Sequence, residues 1–443
     1  MRLPTFQSFF RSKIDLPLVD EEQLISEAVT LDVEAEHHRT LLSLRRRLAD
    51  TFTPTRPLPG PRVELFSNDN RAAFIGREVE CLRITRALLE DQSHVVIFGE
   101  RGRGKTSLAN LVAAQVQEAS FDVARYVCST TSNFDAVMRG LFHDMPRWLT
   151  GLSRTGYDTG LASLLPSRPL QPSDLPLIFE RLSSKVILLV DEFDRVADED
   201  TRTAVADTIK QFSDLGMPVL FMIIGVSDSP EALLGRHPSI QRCVTRVALP
   251  LLKPAHVRKI VERGAAQSGL NFSASARTCI AELARGVPYM AQLLSLRAGQ
   301  AALDNGRTTI LGSDLLAAIE AAAIEADPRV LALYDLATNT ECDAAALSVL
   351  RAAAAGSQDE LGRFQVVSNG RFAQVAGLQV DGTAWQRVLN VGAIRHVRGE
   401  GPDLFTFTEA MLMQLVLLRT VLLSQAVVHP VSVNSAPALL TRP

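Results

Sequence analysis

The sequence predicts an α/β protein: a parallel sheet carrying a phosphate-binding loop (P-loop), followed by a helical lid and a winged-helix-like C-terminal domain. Three observations predict it. From Phe74 to about Leu251, short β-branched runs alternate with helical periodicity, the pattern of a parallel sheet covered by helices. Gly99-Glu100-Arg101-Gly102-Arg103-Gly104-Lys105-Thr106 matches G-x-x-x-x-G-K-[ST] between a strand run and a helix. From Lys253 to about Ala326 the pattern is purely helical, and further on two alternating runs flank a Gly/Pro turn.

In chain order, residues 1–71 read as a helical segment and a Pro-rich linker. Leu41, Leu42 and Leu44 are interleaved with charge, and Arg45-Arg46-Arg47 reads as a solvated face balanced by Glu34 and Glu36. Pro54, Pro57, Pro59 and Pro61 cannot continue a helix and make a semi-rigid linker of residues 51–62. The core, 72–252, has strands expected at His94–Phe98, Val123–Cys128, Val186–Val190, Val219–Ile224 and Val244–Leu251. After the first, Leu108, Leu111, Val112 and Val116 recur at helical spacing. Pro146 to Pro172, rich in Gly, Ser and Pro, reads as an irregular insertion. The lid, 253–327, has helix starts near Pro254, Ser273, Pro288 and Ser313, since Pro and Ser open helices well. Residues 328–426 carry helices around a hairpin whose arms are Ala393–Arg398 and Leu404–Phe407. Residues 427–443, rich in Ser, Pro and Ala, read as a disordered tail.

Composition narrows the class. A chain of 443 residues, 47% hydrophobic and 21% charged, should hold about two or three globular domains and is neither a disordered chain nor a disulfide scaffold. The net charge of −3 excludes a basic nucleic-acid-coating protein. Five scattered cysteines without a C-x-x-C pair point to a reducing compartment and no zinc module. The N-terminus lacks the apolar core of a secretory signal, and Met411–Val428, interrupted by Gln414, Arg419 and Gln425, is too polar to span a membrane. A soluble cytoplasmic protein without a membrane partner is the expectation. The eight histidines show no metal-ligand spacing, and no nucleophile elbow or Cys/His arrangement supports another reaction class.

The chemistry concentrates at the P-loop. Its glycines let backbone N–H groups converge on phosphate oxygens, and the helix N-terminus adds its dipole. The phosphate-binding run is therefore Gly99 to Ser107, with Lys105 expected on the β and γ phosphates and Thr106 expected to place its hydroxyl on Mg²⁺. Val186-Ile187-Leu188-Leu189-Val190-Asp191-Glu192 is a buried strand running into two carboxylates. Asp191 is expected to hold Mg²⁺ through water, opposite Thr106, and Glu192 to orient or deprotonate the attacking water.

These residues resemble the AAA+ and STAND superfamilies of P-loop ATPases, and among them origin-recognition-type and transposition-associated bacterial ATPases. The likeness rests on Phe74-Ile75-Gly76-Arg77-Glu78, GERGRGKTS, VILLVDEFD, IIGVSDS and Gly286-Val287-Pro288-Tyr289, and spans about residues 72–325. It implies an AAA+-like P-loop NTPase that binds and hydrolyses ATP with Mg²⁺. By resemblance, Ile75 and Gly76 contact the adenine, Ser227 either senses the γ-phosphate or only shapes the turn Ser227-Asp228-Ser229-Pro230, and Pro288 belongs to the lid's nucleotide contact. Arg242, and less so Arg236, falls where an arginine finger reaches a neighbouring subunit, which implies self-association. The Gly286–Tyr289 motif is STAND-like and lacks the sensor Arg typical of AAA+ proteins. Similar C-terminal modules contact DNA in origin-recognition-type ATPases; here that role would fall to Arg395, His396 and Arg398. From Leu331 to Pro443, however, eight arginines and no lysine stand against nine acidic residues, a net of −1, which favours a protein partner. Two readings follow: an assembling machine acting on nucleic acid or protein, or a slowly hydrolysing switch with a protein partner.

Overall fold

The computed structural model describes residues 32–53, 75–145, 164–180, 182, 184–235, 238–338, 343–368, 370–397 and 403–428. Most of the Pro-rich linker, Arg236, residues 146–163 of the expected insertion, Arg398 and nearly all of the tail lie outside them.

The apolar runs of the core leave no side suited to water, so both faces of the sheet they form must be covered. The strands are β1 (His94–Gly99), β2 (Asp122–Val127), β3 (Val186–Asp191), β4 (Val219–Val226) and β5 (Val244–Ala248). They pair in parallel in the order β2-β3-β4-β1-β5, and β1 and β3 are buried along their whole length. All five expected strands are present. β5 stops at Ala248 rather than Leu251, because Pro250 has no N–H to continue the ladder. One face packs on helices Glu78–Leu89 and Lys105–Glu118 through Ile84, Leu88, Leu108 and Val112. The other is filled by Phe142, Phe179, Phe212 and Phe221, whose ring centroids lie 5.5 to 5.9 Å apart in sequence.

His94 opens β1 and is fully buried, its Nδ1 accepting the Phe221 N–H at 2.8 Å. Burial pulls its pKa from 6.5 down to about 4, against a hydrogen bond with the Ile209 backbone. The neutral imidazole is therefore the folded form. Its contribution is complete above the unfolded value of 6.5 and is lost as pH falls towards 4, at most about 3 kcal/mol. Urea unfolding of wild type and His94→Gln should show a stability difference that shrinks by that order from pH 7 to pH 4; a constant difference would refute this account.

The lid helices Pro254–Ser268, Ala274–Ala284, Pro288–Asp304 and Gly312–Ile324 begin where expected. Pro254 and Pro288 occupy first-turn positions, and the Ser273 hydroxyl caps the second helix by accepting the Ala276 N–H. A two-residue parallel pair, β6 (Asn271–Phe272) with β7 (Thr309–Ile310), ties two lid loops together.

The N-terminal helix, Asp32–Phe52, is not a separate unit. Leu44, Leu48 and Phe52 are buried in the lid, with Phe52 seated over Gly264 and Leu48 over Gly299; a Cβ at either glycine would fall 2.1 or 2.7 Å from the intruding side chain. Arg45, Arg46 and Arg47 face solvent as expected, although Arg45 pairs with Asp304 of the lid.

The C-terminal domain contains helices Pro328–Thr338, Asp343–Ala355, Gly382–Val391 and Leu412–Val428. The expected hairpin is present as β11 (Ile394–His396) against β12 (Leu404–Phe407). The reading of this region as helices and one hairpin needs correction: β8 (Phe364–Ser368), β9 (Phe372–Val375) and β10 (Leu378–Asp381) extend it to a five-stranded antiparallel sheet, β10-β9-β8-β12-β11. Trp385 packs edge-on against Phe405 beneath this sheet. The lid, the N-terminal helix and this domain share one continuous apolar core, whereas the core sheet has its own on each face.

Candidate functional site

The carboxyl ends of β1, β3 and β4 open on one edge of the sheet, where the loop after β1 meets the acids after β3. Gly99, Gly102 and Gly104 take φ values of +140°, +77° and +86°, open to glycine and rarely to other residues. Gly104 is the left-handed N-cap of helix Lys105–Glu118, and no side chain caps its first N–H groups. A Cβ on Gly104 would meet nothing within 4 Å. An uncapped helix N-terminus behind an open glycine loop is suited to an anion.

Lys105 is buried, and its Nζ donates to the Gly99 and Glu100 carbonyls, both at 2.9 Å. Burial pulls its pKa down to about 8, opposed by the nearby Asp194, Glu100 and Asp191 carboxylates. Thr106 is exposed, and its hydroxyl acts on Asp191 at the end of β3, with β4 as the intervening strand. Asp191 accepts the Glu192 N–H at 2.8 Å; burial raises its pKa while the Thr106 hydroxyl and the Glu192 N–H lower it. Among the described residues there is no group of three or more His, Cys, Asp or Glu suited to a metal. One carboxylate beside one hydroxyl, with the remaining places open to phosphate oxygens and water, is the donor set that suits Mg²⁺ rather than an all-protein metal cage.

Glu192 sits in the left-handed region (φ +53°, ψ +36°), a conformation costing about 1 kcal/mol or more in a non-glycine residue. Its half-exposed carboxylate pairs with Arg195 at 2.7 Å. Asp194 was not singled out from the sequence, yet its carboxylate accepts the Val226 N–H at 2.8 Å and joins the turn after β3 to the end of β4.

The remaining expected positions divide. Pro288 opens the lid helix whose Tyr289 N–H donates to the Gly102 carbonyl at 3.3 Å, so the lid rests on the loop. Gly76 (φ +78°) is wedged against His256 of the lid, and Ile75 beside it is half-buried. The Ser227 hydroxyl donates to the Ser229 carbonyl at 2.7 Å and so is engaged in its own turn. Arg242 is exposed at the end of the 3-10 turn Pro238–Arg242.

The C-terminal domain also reaches the loop, which was not expected. Arg395 of β11 pairs with Asp228 at 2.7 Å and with Glu100 at 3.7 Å. His396 stacks edge-on against Phe405. Burial, followed by the Asp228 charge, raises the pKa of Glu100, and Arg103, Arg395 and Lys105 hold it back. A cleft lined by Glu100, Arg101, Val287, Leu361, Phe407 and Met413 runs between the loop, the lid and the C-terminal domain. No described helix is long and apolar enough to cross a membrane.

A model of the family described as Novel STAND NTPase 1 matches residues 59–298. No curated protein matches the sequence. Among solved structures, the chain is similar to Cdc6p from Pyrobaculum aerophilum, at 15% identity over 85% of this chain and 98% of that one, with a TM-score of 0.45. It is similar to the ORC2 protein of Aeropyrum pernix in its ADPNP–ADP complexes, at 13% identity over 86% and 98%, with a TM-score of 0.48. A third is the RuvB Holliday junction branch migration motor of Thermotoga maritima, at 17% identity over 78% and 96%, with a TM-score of 0.42.

Proposed function

The chain belongs to the novel STAND NTPase 1 family, and from that premise we propose that it is a Mg-ATP-dependent switch that hydrolyses ATP slowly and presents its C-terminal domain to a protein partner. The observation that carries this reading is the Arg395 clamp: a side chain of the C-terminal domain pairs with the first variable residue of the P-loop, Glu100, and with Asp228 at the end of β4.

The chemistry follows from the residues in place. The N–H groups around Gly102 to Lys105 bind phosphate oxygens, and Lys105 turns its ammonium from the loop carbonyls to the β and γ phosphates. Thr106 and Asp191 would hold Mg²⁺, which would neutralise charge on those phosphates. Glu192 leaves Arg195, orients a water and takes its proton as the water oxygen bonds to the γ-phosphorus and the bond from that phosphorus to the β–γ bridging oxygen breaks, giving phosphate and ADP. ADP leaves the clamp seated. The γ-phosphate of ATP brings negative charge next to Glu100 and Asp228, competes for Arg395 and loosens the domain. A guanidinium used inside the molecule, in a domain without net positive charge, supports a protein partner over DNA.

The second reading, an assembly completed between subunits, is favoured by the exposed position of Arg242. ATP hydrolysis per chain against protein concentration, with Glu192→Gln as blank, separates the two. We expect a slow, flat rate that duplex DNA does not raise. A rate that rises with concentration and collapses in Arg242→Ala would overturn the switch acting chain by chain.

A further inference from the structure

Arg103, the variable residue before Gly104, spends its guanidinium on backbone carbonyls outside the P-loop. It is buried, and its guanidinium donates from Nη1 to the Leu249 carbonyl at 2.9 Å and from Nη2 to the Leu361 carbonyl at 2.8 Å. Its backbone carbonyl in turn accepts from Arg77, which also donates to the Pro250 carbonyl at 2.6 Å. Leu249 and Pro250 lead from β5 to the lid, and Leu361 lies in the C-terminal domain. The next residue of that connection, Leu251, donates its N–H to the Glu360 carbonyl at 2.7 Å. One P-loop side chain thus bridges the loop, the core-to-lid connection and the C-terminal domain.

The Leu361 carbonyl is held out by a turn of its own. Asp359 accepts the Leu361 and Arg363 N–H groups at 2.8 and 2.9 Å, and its backbone carbonyl accepts the Gly362 N–H, with Gly362 at φ +77°. Nε of Arg103 is buried without a hydrogen-bond partner, so departure of the turn would leave the guanidinium bonded to the protein through Nη1 alone. A guanidinium with one bond left is less firmly fixed, and so is the loop backbone that carries it.

Resting on the switch reading above, we infer that Arg103 is a positioning residue: it holds the P-loop in the shape that favours ADP while the 359–363 turn of the C-terminal domain is docked. ADP affinity and domain docking are then one coupled equilibrium, and whatever favours one favours the other to the same degree.

The test is ADP binding, measured by calorimetry on the full chain, in wild type, Asp359→Ala, Arg103→Met and the double variant. Asp359 is on a solvent-facing turn and outside the P-loop. Asp359→Ala should nonetheless weaken ADP binding about tenfold, the share of one charge-assisted hydrogen bond, and should have no further effect in Arg103→Met. Equal ADP affinity of Asp359→Ala and wild type would overturn the inference, as would an Asp359→Ala loss that persists in full on the Arg103→Met background. If Arg103→Met does not fold, Arg103→Lys serves, because one ammonium cannot span both carbonyls as the planar fork does. The readout needs no turnover, so its failure leaves the switch reading standing, whereas loss of any ATP/ADP difference would end that reading and not this one.

Discussion

Lys105→Ala should lose nucleotide affinity by at least about a hundredfold. The ammonium now spent on the Gly99 and Glu100 carbonyls is the group expected on the phosphates, and two charge-assisted hydrogen bonds at about 1.5 kcal/mol each set that lower bound. Its pKa adds a second expectation. Burial holds the free ammonium near 8, and phosphates bind the protonated form, so bound nucleotide must raise that value. Wild-type affinity should therefore be level below pH 8 and fall as pH rises above it, by up to about tenfold per unit, while Lys105→Ala shows no such fall. Titration calorimetry from pH 7 to 9.5 measures both. Retained affinity in the Ala variant would remove Lys105 from the phosphate site.

Glu192→Gln should bind ATP as wild type does and turn it over about a hundredfold or more slowly, the usual contribution of a general base. The change is nearly isosteric, and the Arg195 pair it breaks is half-exposed on both sides, where an ion pair contributes about 1 kcal/mol at most. Melting temperature should stay within a few degrees. Single-turnover hydrolysis checks the rate, and an unchanged rate would assign the proton transfer to another group.

What was legible in the sequence is what local patterning encodes. The P-loop glycines, the apolar run into Asp191-Glu192 and the Pro and Ser helix starts each leave a mark within a few residues, and the structure has them where they were read. The STAND resemblance rested on the same local motifs and agrees with the matched family. The contacts that organise the site around them left no such mark. Arg103 finds its acceptor 258 residues away, and that acceptor is a backbone carbonyl, which any residue could supply. Arg395 reads as a surface cation of a hairpin until the fold brings Glu100 and Asp228 against it. Phe52 and Leu48 reach glycine notches in a domain more than 200 residues further along the chain. The β9–β10 hairpin leaves no mark in the sequence, for a local reason. Its turn, Ala376-Gly377, has φ of +50° and +87°, the two-residue geometry that Asn-Gly or Asp-Gly advertises and that Ala does not.

The central claim, that nucleotide state decides whether the C-terminal domain stays clamped to the P-loop, is tested most directly by hydrogen exchange on Glu192→Gln with Mg-ATP and with Mg-ADP. The amides of Ile394–His396 and of residues 359–363 should exchange faster with ATP than with ADP, and Arg395→Ala should make the two alike. Equal protection of those amides with either nucleotide in the Arg395 protein would contradict the claim.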